Sequence, residues 1–181
     1  MGKTIRRVKS KIIYRGAVLD LSVDTYRTNG NTFLRETIQH PPSVVILPIL
    51  PDNRVMLIRQ FRHAVGRFIY EITAGTTEPG EPSLRCAKRE LGEETGYSAS
   101  RWQRICRFYP APGISTERME LYVARGLKPL TEKVAMDQDE QITPYLVSAA
   151  EALKLVRTNQ IVDAKSIIGI VWGLGKIRWK E

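Results

Sequence analysis

The chain has few cysteines, with only Cys86 and Cys106 among its 181 residues. Their spacing fits no metal-binding set, so we expect free buried thiols, with one disulfide as the alternative. The sequence also lacks any apolar run that approaches the roughly 18 residues of a membrane helix. Its first residues, Met-Gly-Lys-Thr-Ile-Arg-Arg, lack the apolar core of a secretory signal. These absences argue against a disulfide-stapled secreted domain and a helical membrane protein, and they predict a cytoplasmic protein with no membrane partner.

Acidic residues are fewer than basic ones. The chain has 19 aspartates and glutamates against 28 lysines and arginines, which gives a net charge of +9. The basic residues are dispersed along the chain, which is typical of a solvated surface. The alternative is that these charges attract a phosphate-bearing metabolite or RNA. Of these two partners, we regard RNA as the less favoured. A hydrophobic content of 43% is ordinary for a soluble globule and fits one domain with a small appendage.

Hydrophobic patterns divide the chain into a short N-terminal β segment and a main domain. Three short strands are predicted before residue 39, with a turn at Asn29-Gly30-Asn31 between the second and the third. This segment, residues 1–40, is too small to stand alone. We therefore expect it to pack on the main domain, residues 41–181, or on a second subunit.

Strands alternate with helices in the main domain. Residues 43–50 form a continuous apolar run, which is typical of a strand covered on both faces. The strongest helix is predicted over residues 82–95, with Gly96 as its stop and a buried stripe of Leu84, Ala87 and Leu91. Other strands are predicted at 54–61, 68–73, 103–109, 118–125 and 142–147, and other helices at 148–158 and at 163–175 with Asp163 as its cap. Helices beside a mixed sheet predict an α/β sandwich.

Glutamates are concentrated between residues 71 and 94, which hold six of them and only three cations. Residues four apart share a helix face, so Glu90 and Glu94 present adjacent carboxylates, and Glu93 borders them. Gly75 precedes the helix and lets the backbone approach a ligand, which offers the carbonyl of Ala74 as well. Oxygen ligands of this kind suit Mg²⁺ held against a phosphate. The alternative is an exposed helix with ordinary Glu–Arg pairs.

A fixed spacing runs from Gly75 to Tyr97. It reads Gly, five residues, Glu, seven residues, and then Arg-Glu-Leu-Gly-Glu-Glu-Thr-Gly-Tyr. This pattern resembles the Nudix box of hydrolases that act on nucleoside diphosphates linked to another group. Tyr97 stands where an aliphatic residue is commoner.

The Nudix resemblance implies a fold and a metal site. The implied fold is an α/β/α sandwich with a mixed sheet and a small N-terminal antiparallel β segment. The implied cofactor is Mg²⁺ or Mn²⁺, bound by Glu90, Glu93, Glu94 and the carbonyl of Ala74. Two further residues, Glu81 and Arg89, would support the loop and the helix.

Features outside the box are similar to the ADP-ribose pyrophosphatase subfamily. They are Gln60-Phe61-Arg62, the Glu-Xaa-Xaa-Ala-Gly pattern of residues 71–75, Pro112, which lies 15 residues after Tyr97, and Asp163-Ala164-Lys165-Ser166. The resemblance implies hydrolysis of the pyrophosphate of ADP-ribose to AMP and ribose 5-phosphate. The N-terminal β segment matches the dimerising segment of that subfamily, which implies a homodimer.

The same resemblance implies roles for individual residues. Arg62 matches an arginine at the phosphate or ribose region of the substrate, where its guanidinium suits paired phosphate oxygens. Glu117 matches a glutamate near the terminal ribose, and Arg35 and Glu36 lie where the N-terminal segment meets the adenosine. The remaining assignments are Thr76 and Pro112 for substrate binding and Glu140 for the general base, with Asp139 or Glu93 as alternatives.

Two alternatives stay open for the function. The same chemistry would serve another nucleotide sugar or dinucleotide, such as GDP-mannose or FAD. A Nudix protein without catalysis would instead bind a nucleotide or RNA through the basic remainder of the chain.

Overall fold

The computed structural model describes residues 4–131 and 142–175, and within them the chain forms ten strands and three helices. The strands and helices are β1 (Arg6–Arg15), β2 (Asp20–Thr28), β3 (Asn31–Gln39), β4 (Ser43–Ile49), β5 (Arg54–Arg62), β6 (Arg67–Glu71), β7 (Ala74–Thr76), α1 (Ser83–Thr95), β8 (Tyr97–Phe108), β9 (Met119–Pro129), β10 (Ile142–Ser148), α2 (Ala149–Arg157) and α3 (Ala164–Gly173). None of the helices in these described ranges combines the length and the apolar character of a membrane span.

The chain forms two units. Unit 1 comprises Met1–Pro42 and Tyr109–Arg118, and unit 2 comprises Ser43–Phe108 and Met119–Glu181.

Unit 1 is built on a three-stranded antiparallel sheet in the order β1-β2-β3. The predicted turn between β2 and β3 is confirmed, since Asn29 and Gly30 both have positive φ, at 45° and 83°. Such a two-residue turn matches the twist of the strands that flank it. The 109–118 segment joins this unit through backbone hydrogen bonds from Ile38 N to the Ile114 oxygen at 2.8 Å and from Thr116 N to the Ile38 oxygen at 2.9 Å.

Unit 2 is built on a mixed sheet in the order β10-β5-β4-β9-β8, with β6 paired to β5 and β7 paired to β4. The β4–β9 pair is parallel and the other pairs are antiparallel. All seven residues of β4 are buried, as its apolar run predicted. Val45, Leu47 and Ile49 pack with residues of α2 and α3, whereas Val44 and Ile46 pack with α1. The predicted α/β sandwich is therefore confirmed.

Helix α1 departs from its prediction at one position. Its C-terminal stop is confirmed, because Gly96 has a φ of 73° and donates its N–H to the Gly92 oxygen. Ala87 and Leu91 are buried as predicted, but Leu84 is 38% exposed and its assignment to the buried stripe is wrong. The buried arc extends in the other direction, to Glu94 and Thr95, and it includes Cys86 near its start.

Both cysteines are free thiols, as expected. Cys86 is buried and Cys106 is partly exposed. Burial raises the pKa of the Cys86 thiol to about 12, so this thiol is inert near neutral pH.

Candidate active site

The loop before α1 lies against a carboxylate of that helix. Residues 74–76 form β7 and pair with β4, where Gly75 is opposite Val44. A Cβ placed on Gly75 would lie 1.9 Å from Cδ and 2.0 Å from Oε1 of Glu90. Only glycine allows this approach, so the Glu90 carboxylate lies directly on the Gly75 backbone, next to Ala74.

Arg89 connects this loop to the carboxylates of α1. Its Nε and Nη2 donate to Glu81 at 3.2 and 3.1 Å, and Nη2 also donates to the Thr76 oxygen at 3.2 Å. Its Nη1 lies 2.8 Å from both Glu90 and Glu93. The hydrogen bonds to Glu81 and Glu93, with the charge of Glu90, raise the pKa of Arg89 above its usual range. One permanent cation therefore holds three glutamates of the box in place.

Glu94 occupies the buried side of α1 and is only 3% exposed. Its charge acts on Arg62 of β5 and contributes to the raised pKa of that guanidinium, after the larger effect of the hydrogen bonds from Arg62 to Glu71. The carboxylates of α1 thus extend from the partly exposed Glu93 to the buried Glu94, with Glu90 against the loop.

The predicted metal ligands fit a hard divalent cation by their chemistry, and Glu90 also does so by its placement. Carboxylate and carbonyl oxygens are the ligands that Mg²⁺ prefers. The close approach of Glu90 to the Gly75 backbone places one such carboxylate beside Ala74, whose carbonyl was the predicted backbone ligand. Among the described residues, no three His, Cys, Asp or Glu side chains already form a metal cage. Glu90 and Glu93 are instead held on one guanidinium by their ion pairs with Arg89.

A buried ionic network lies beside Glu94. Arg62 donates from Nε and Nη2 to the two oxygens of Glu71, at 2.6 and 2.7 Å. Lys165 of α3 also binds Glu71, and it binds Asp163 at 2.9 Å. Burial by itself would raise the pKa of Glu71, but Arg62 and Lys165 hold this pKa below its ordinary 4.5. The Arg62 guanidinium, which was assigned to phosphate oxygens, is therefore bonded to Glu71 in the structure.

The residues predicted for the adenosine, Arg35 and Glu36, lie in unit 1, as does Pro112, which was predicted for substrate binding. Arg35, Glu36 and Pro112 line a cavity of about 450 Å³. Tyr26 and Phe33 stack in the same cavity with ring centroids 5.7 Å apart, and the Arg35 guanidinium lies 4.6 Å from the Phe33 centroid. Sequence reasoning gave Phe33 and Tyr26 no role, although a two-residue turn at Asn29 and Gly30 places them opposite each other.

The other predicted residues divide between the units. Glu117, in unit 1, is half-buried, with its carboxylate 3.8 Å from Nδ1 of His40. Thr76, in unit 2, lies in the loop with its carbonyl bound to Arg89. Glu140 and Asp139, the alternatives for the general base, lie outside the described residues.

Comparison with known proteins identifies the family. The sequence profile of the NUDIX domain matches residues 39–167, which is most of the chain. The chain therefore belongs to the Nudix family, and it is a Nudix hydrolase. The predicted resemblance to the ADP-ribose pyrophosphatases within this family is also confirmed.

Three curated relatives cover nearly the whole chain. The ADP-ribose pyrophosphatase of Bacillus subtilis is 37% identical over 91% of this chain and 90% of its own length. The methanol dehydrogenase activator of Bacillus methanolicus is 34% identical over 94% of both chains. The ADP-ribose pyrophosphatase of Mycobacterium tuberculosis is 32% identical over 91% of this chain and 80% of its own length.

One solved structure has the same fold. A crystal structure of an ADP compounds hydrolase superposes with a TM-score of 0.81 and covers 98% of both chains. At 22% sequence identity this likeness establishes the fold.

Proposed function

We propose that the protein hydrolyses the pyrophosphate bond of ADP-ribose and releases AMP and ribose 5-phosphate. The observation that carries the proposed chemistry is the Glu90 carboxylate on the bare backbone of Gly75, inside a complete Nudix box. The substrate is supported by the two relatives that are named ADP-ribose pyrophosphatases. We also propose that the protein is cytoplasmic. Recovery of the protein in a membrane fraction would contradict this location.

The residues of the box would hold the divalent cation that Nudix hydrolases generally use. We assign Mg²⁺ or Mn²⁺ to Glu90, Glu93, Glu94 and the carbonyl of Ala74. When bound, such a cation neutralises phosphate charge and lowers the pKa of a water ligand. Arg89 keeps Glu90 and Glu93 oriented toward the loop through its 2.8 Å contacts.

A carboxylate would take the proton from the attacking water. Glu140 is the first assignment, with Asp139 or Glu93 as the alternative, since a general base must lie within hydrogen-bond reach of that water. Arg62 would bind the diphosphate through Nη1, because Glu71 already engages its Nε and Nη2. Thr76 would bind the phosphates from the loop, and Glu117 would bind the terminal ribose.

A nucleotide panel tests the proposed substrate. With Mg²⁺ or Mn²⁺ we expect kcat/KM for ADP-ribose to exceed the values for GDP-mannose and FAD by at least about tenfold. Chromatography should identify AMP and ribose 5-phosphate as the products. A higher kcat/KM for GDP-mannose or FAD would move the assignment to that substrate. No hydrolysis of any nucleotide, together with steeply salt-dependent RNA binding, would favour the non-catalytic alternative.

The cavity of unit 1 would bind the adenosine. We propose that the base stacks against the Tyr26–Phe33 pair, with Arg35, Glu36 and Pro112 around it. Stacking of a base on an aromatic ring contributes about 1–3 kcal/mol, so Phe33→Ala should raise KM for ADP-ribose roughly tenfold with little change in kcat.

Phe68→Ala is the matched control for that substitution. Phe68, in unit 2, also carries an arginine over its ring, with Arg59 4.6 Å from the centroid. We expect its KM to stay at the parental value. An equal KM for Phe33→Ala and the parent would remove the stacking assignment.

We propose that the protein is a homodimer formed through its N-terminal β segment, residues 1–40, and that residues 41–181 form the hydrolase domain. Strand β1 exposes a series of large apolar side chains, including Val8, Ile12, Ile13 and Tyr14. Exposed apolar side chains that lie together on one strand are the kind of surface that marks an interface. Light scattering should give the mass of two chains, and the mass of one chain would contradict the proposal.

A further inference from the structure

The first turn of α3 is bonded to the segment that precedes the Nudix loop. Lys165 is only 7% exposed, and its ammonium binds the fully buried carboxylate of Glu71. The next residue, Ser166, accepts the backbone N–H of Ile72 at 2.9 Å and donates its hydroxyl to Asp163 at 2.5 Å. Two adjacent residues of α3 thus bind both the side chain of Glu71 and the backbone of Ile72.

A second contact on the same face of α3 holds Ile72 by packing. A Cβ on Gly169 would lie 2.2 Å from Cδ1 of Ile72, so the helix backbone lies against that side chain. Gly169 is four residues after Lys165 and therefore shares its face of the helix. The hydrogen bond at Ser166 and the close packing at Gly169 are separate contacts, and both hold Ile72 in place.

The segment held by α3 leads directly into the proposed metal loop. Thr73 follows Ile72, and its carbonyl accepts the N–H of Ile46 at 2.8 Å. Ala74 and Gly75 come next and pair with β4. The position of the Ala74 carbonyl therefore depends on β4 on one side and on α3 on the other.

Lys165 also affects Arg62 through their shared partner. Glu71 is shared by these two cations. If Lys165 lost its charge, Arg62 alone would pair with the buried carboxylate of Glu71. The position of that carboxylate, and of the guanidinium bonded to both of its oxygens, would no longer be fixed from the side of α3.

We propose that Lys165 is a positioning residue, which acts with Ser166 to fix the Ala74 carbonyl and the Arg62 guanidinium for catalysis. The inference rests on the proposed function, because it assigns Ala74 to the metal and Arg62 to the diphosphate. Lys165 touches neither the cation nor the substrate in this scheme. Its effect on the rate passes through Glu71, and the effect of Ser166 passes through Ile72.

The test compares Lys165→Met and Ser166→Ala with the parent in three measurements. These are kcat and KM for ADP-ribose, the Kd of Mn²⁺ by titration calorimetry without substrate, and the thermal midpoint. Substitution of a residue that orients a metal ligand typically lowers metal affinity or activity by about 10–100-fold. We expect Lys165→Met to lower kcat by roughly that factor, with KM changed less than kcat, and to weaken Mn²⁺ binding. Ser166→Ala should change kcat and the Mn²⁺ Kd in the same directions by a smaller factor.

Lys154→Met is the matched control, because Lys154 is an exposed lysine of α2 that pairs with Glu151 at 3.5 Å. We expect it to match the parent in all three measurements. A lower thermal midpoint for Lys165→Met and Ser166→Ala, with parental kcat and parental Mn²⁺ Kd, would overturn the proposal, since it would show that these contacts serve stability alone.

If Lys165→Met does not fold, the result for Ser166→Ala decides the question, and failure of both variants to fold would also overturn the proposal. If the parent binds Mn²⁺ but does not hydrolyse ADP-ribose, the proposed substrate is wrong, and the Mn²⁺ measurements still decide the role of Lys165.

Discussion

Replacing Glu94 by Gln is expected to reduce kcat for ADP-ribose about 10³-fold, which corresponds to about 4 kcal/mol of transition-state stabilisation. The substitution keeps the size of the side chain but removes its negative charge. Glu94 is 3% exposed, so its charge acts in a site where water screens it poorly. An amide is a weaker ligand for a hard cation, and we expect Mn²⁺ affinity to fall as well.

Binding of the nucleotide should change less than turnover in Glu94→Gln, because the nucleoside contacts lie elsewhere in the proposal. Calorimetry with ADP-ribose in the absence of metal measures this binding directly. Lys88→Gln is the control on the same helix, since Lys88 lies on the exposed side of α1. Hydrolysis by Glu94→Gln at the parental rate would show that the metal assignment is wrong.

Glu140→Gln and Glu93→Gln separate the general base from the metal ligands. A general base contributes about 10²–10⁴-fold to the rate, so its replacement should lower kcat while leaving Mn²⁺ affinity unchanged. We expect this result for Glu140. The same result for Glu93, together with an active Glu140→Gln variant, would transfer the role of base to Glu93.

Local patterns predicted the parts of the fold that depend on local chemistry. The run at residues 43–50 predicted a doubly covered strand because every side chain in it after Ser43 is apolar, and β4 is buried throughout. Gly96 and Asp163 predicted helix ends because capping depends on single residues. In the structure Gly96 has positive φ, and the Asp163 side chain accepts the N–H of Ser166.

Strands with weak patterns were predicted too short. Residues 12–14 were predicted as a strand, but β1 runs from Arg6 to Arg15, and all ten of its residues are exposed. An exposed strand buries neither face and therefore shows no alternation of apolar and polar residues. Strand β8 likewise begins at Tyr97 instead of residue 103, directly after the stop of α1.

The spacing of the box predicted that Glu93 borders Glu90, and both contact Arg89, but long-range partners were beyond the sequence. Arg62 was assigned to phosphate, and its bonds to Glu71 were not foreseen, because an arginine fork fits either carboxylate or phosphate oxygens. Lys165 lies 94 residues from Glu71 in the chain. No local pattern connects residues at that separation, and only the packing of α3 against the sheet brings them together.

Gly75→Ala is expected to reduce kcat about 10²-fold while leaving the thermal midpoint close to the parental value. Gly75 has no left-handed φ, so alanine adopts the same backbone without strain. Its Cβ would lie 1.9 Å from Cδ of Glu90, and one of the two groups must move. The end of the Glu90 side chain moves at little cost in stability, but a displacement of about 1 Å in a catalytic group can lower the rate by about 10²-fold.

A double-mutant cycle determines whether the effect of Gly75→Ala passes through Glu90. Residues in contact give non-additive effects, whereas independent sites add. We therefore expect Gly75→Ala to weaken Mn²⁺ binding in the parent and to have almost no further effect in a Glu90→Ala background. Additive losses in the double variant would show that the added methyl group disturbs the loop itself. In that case the close approach of backbone and carboxylate would not be the reason for glycine at this position.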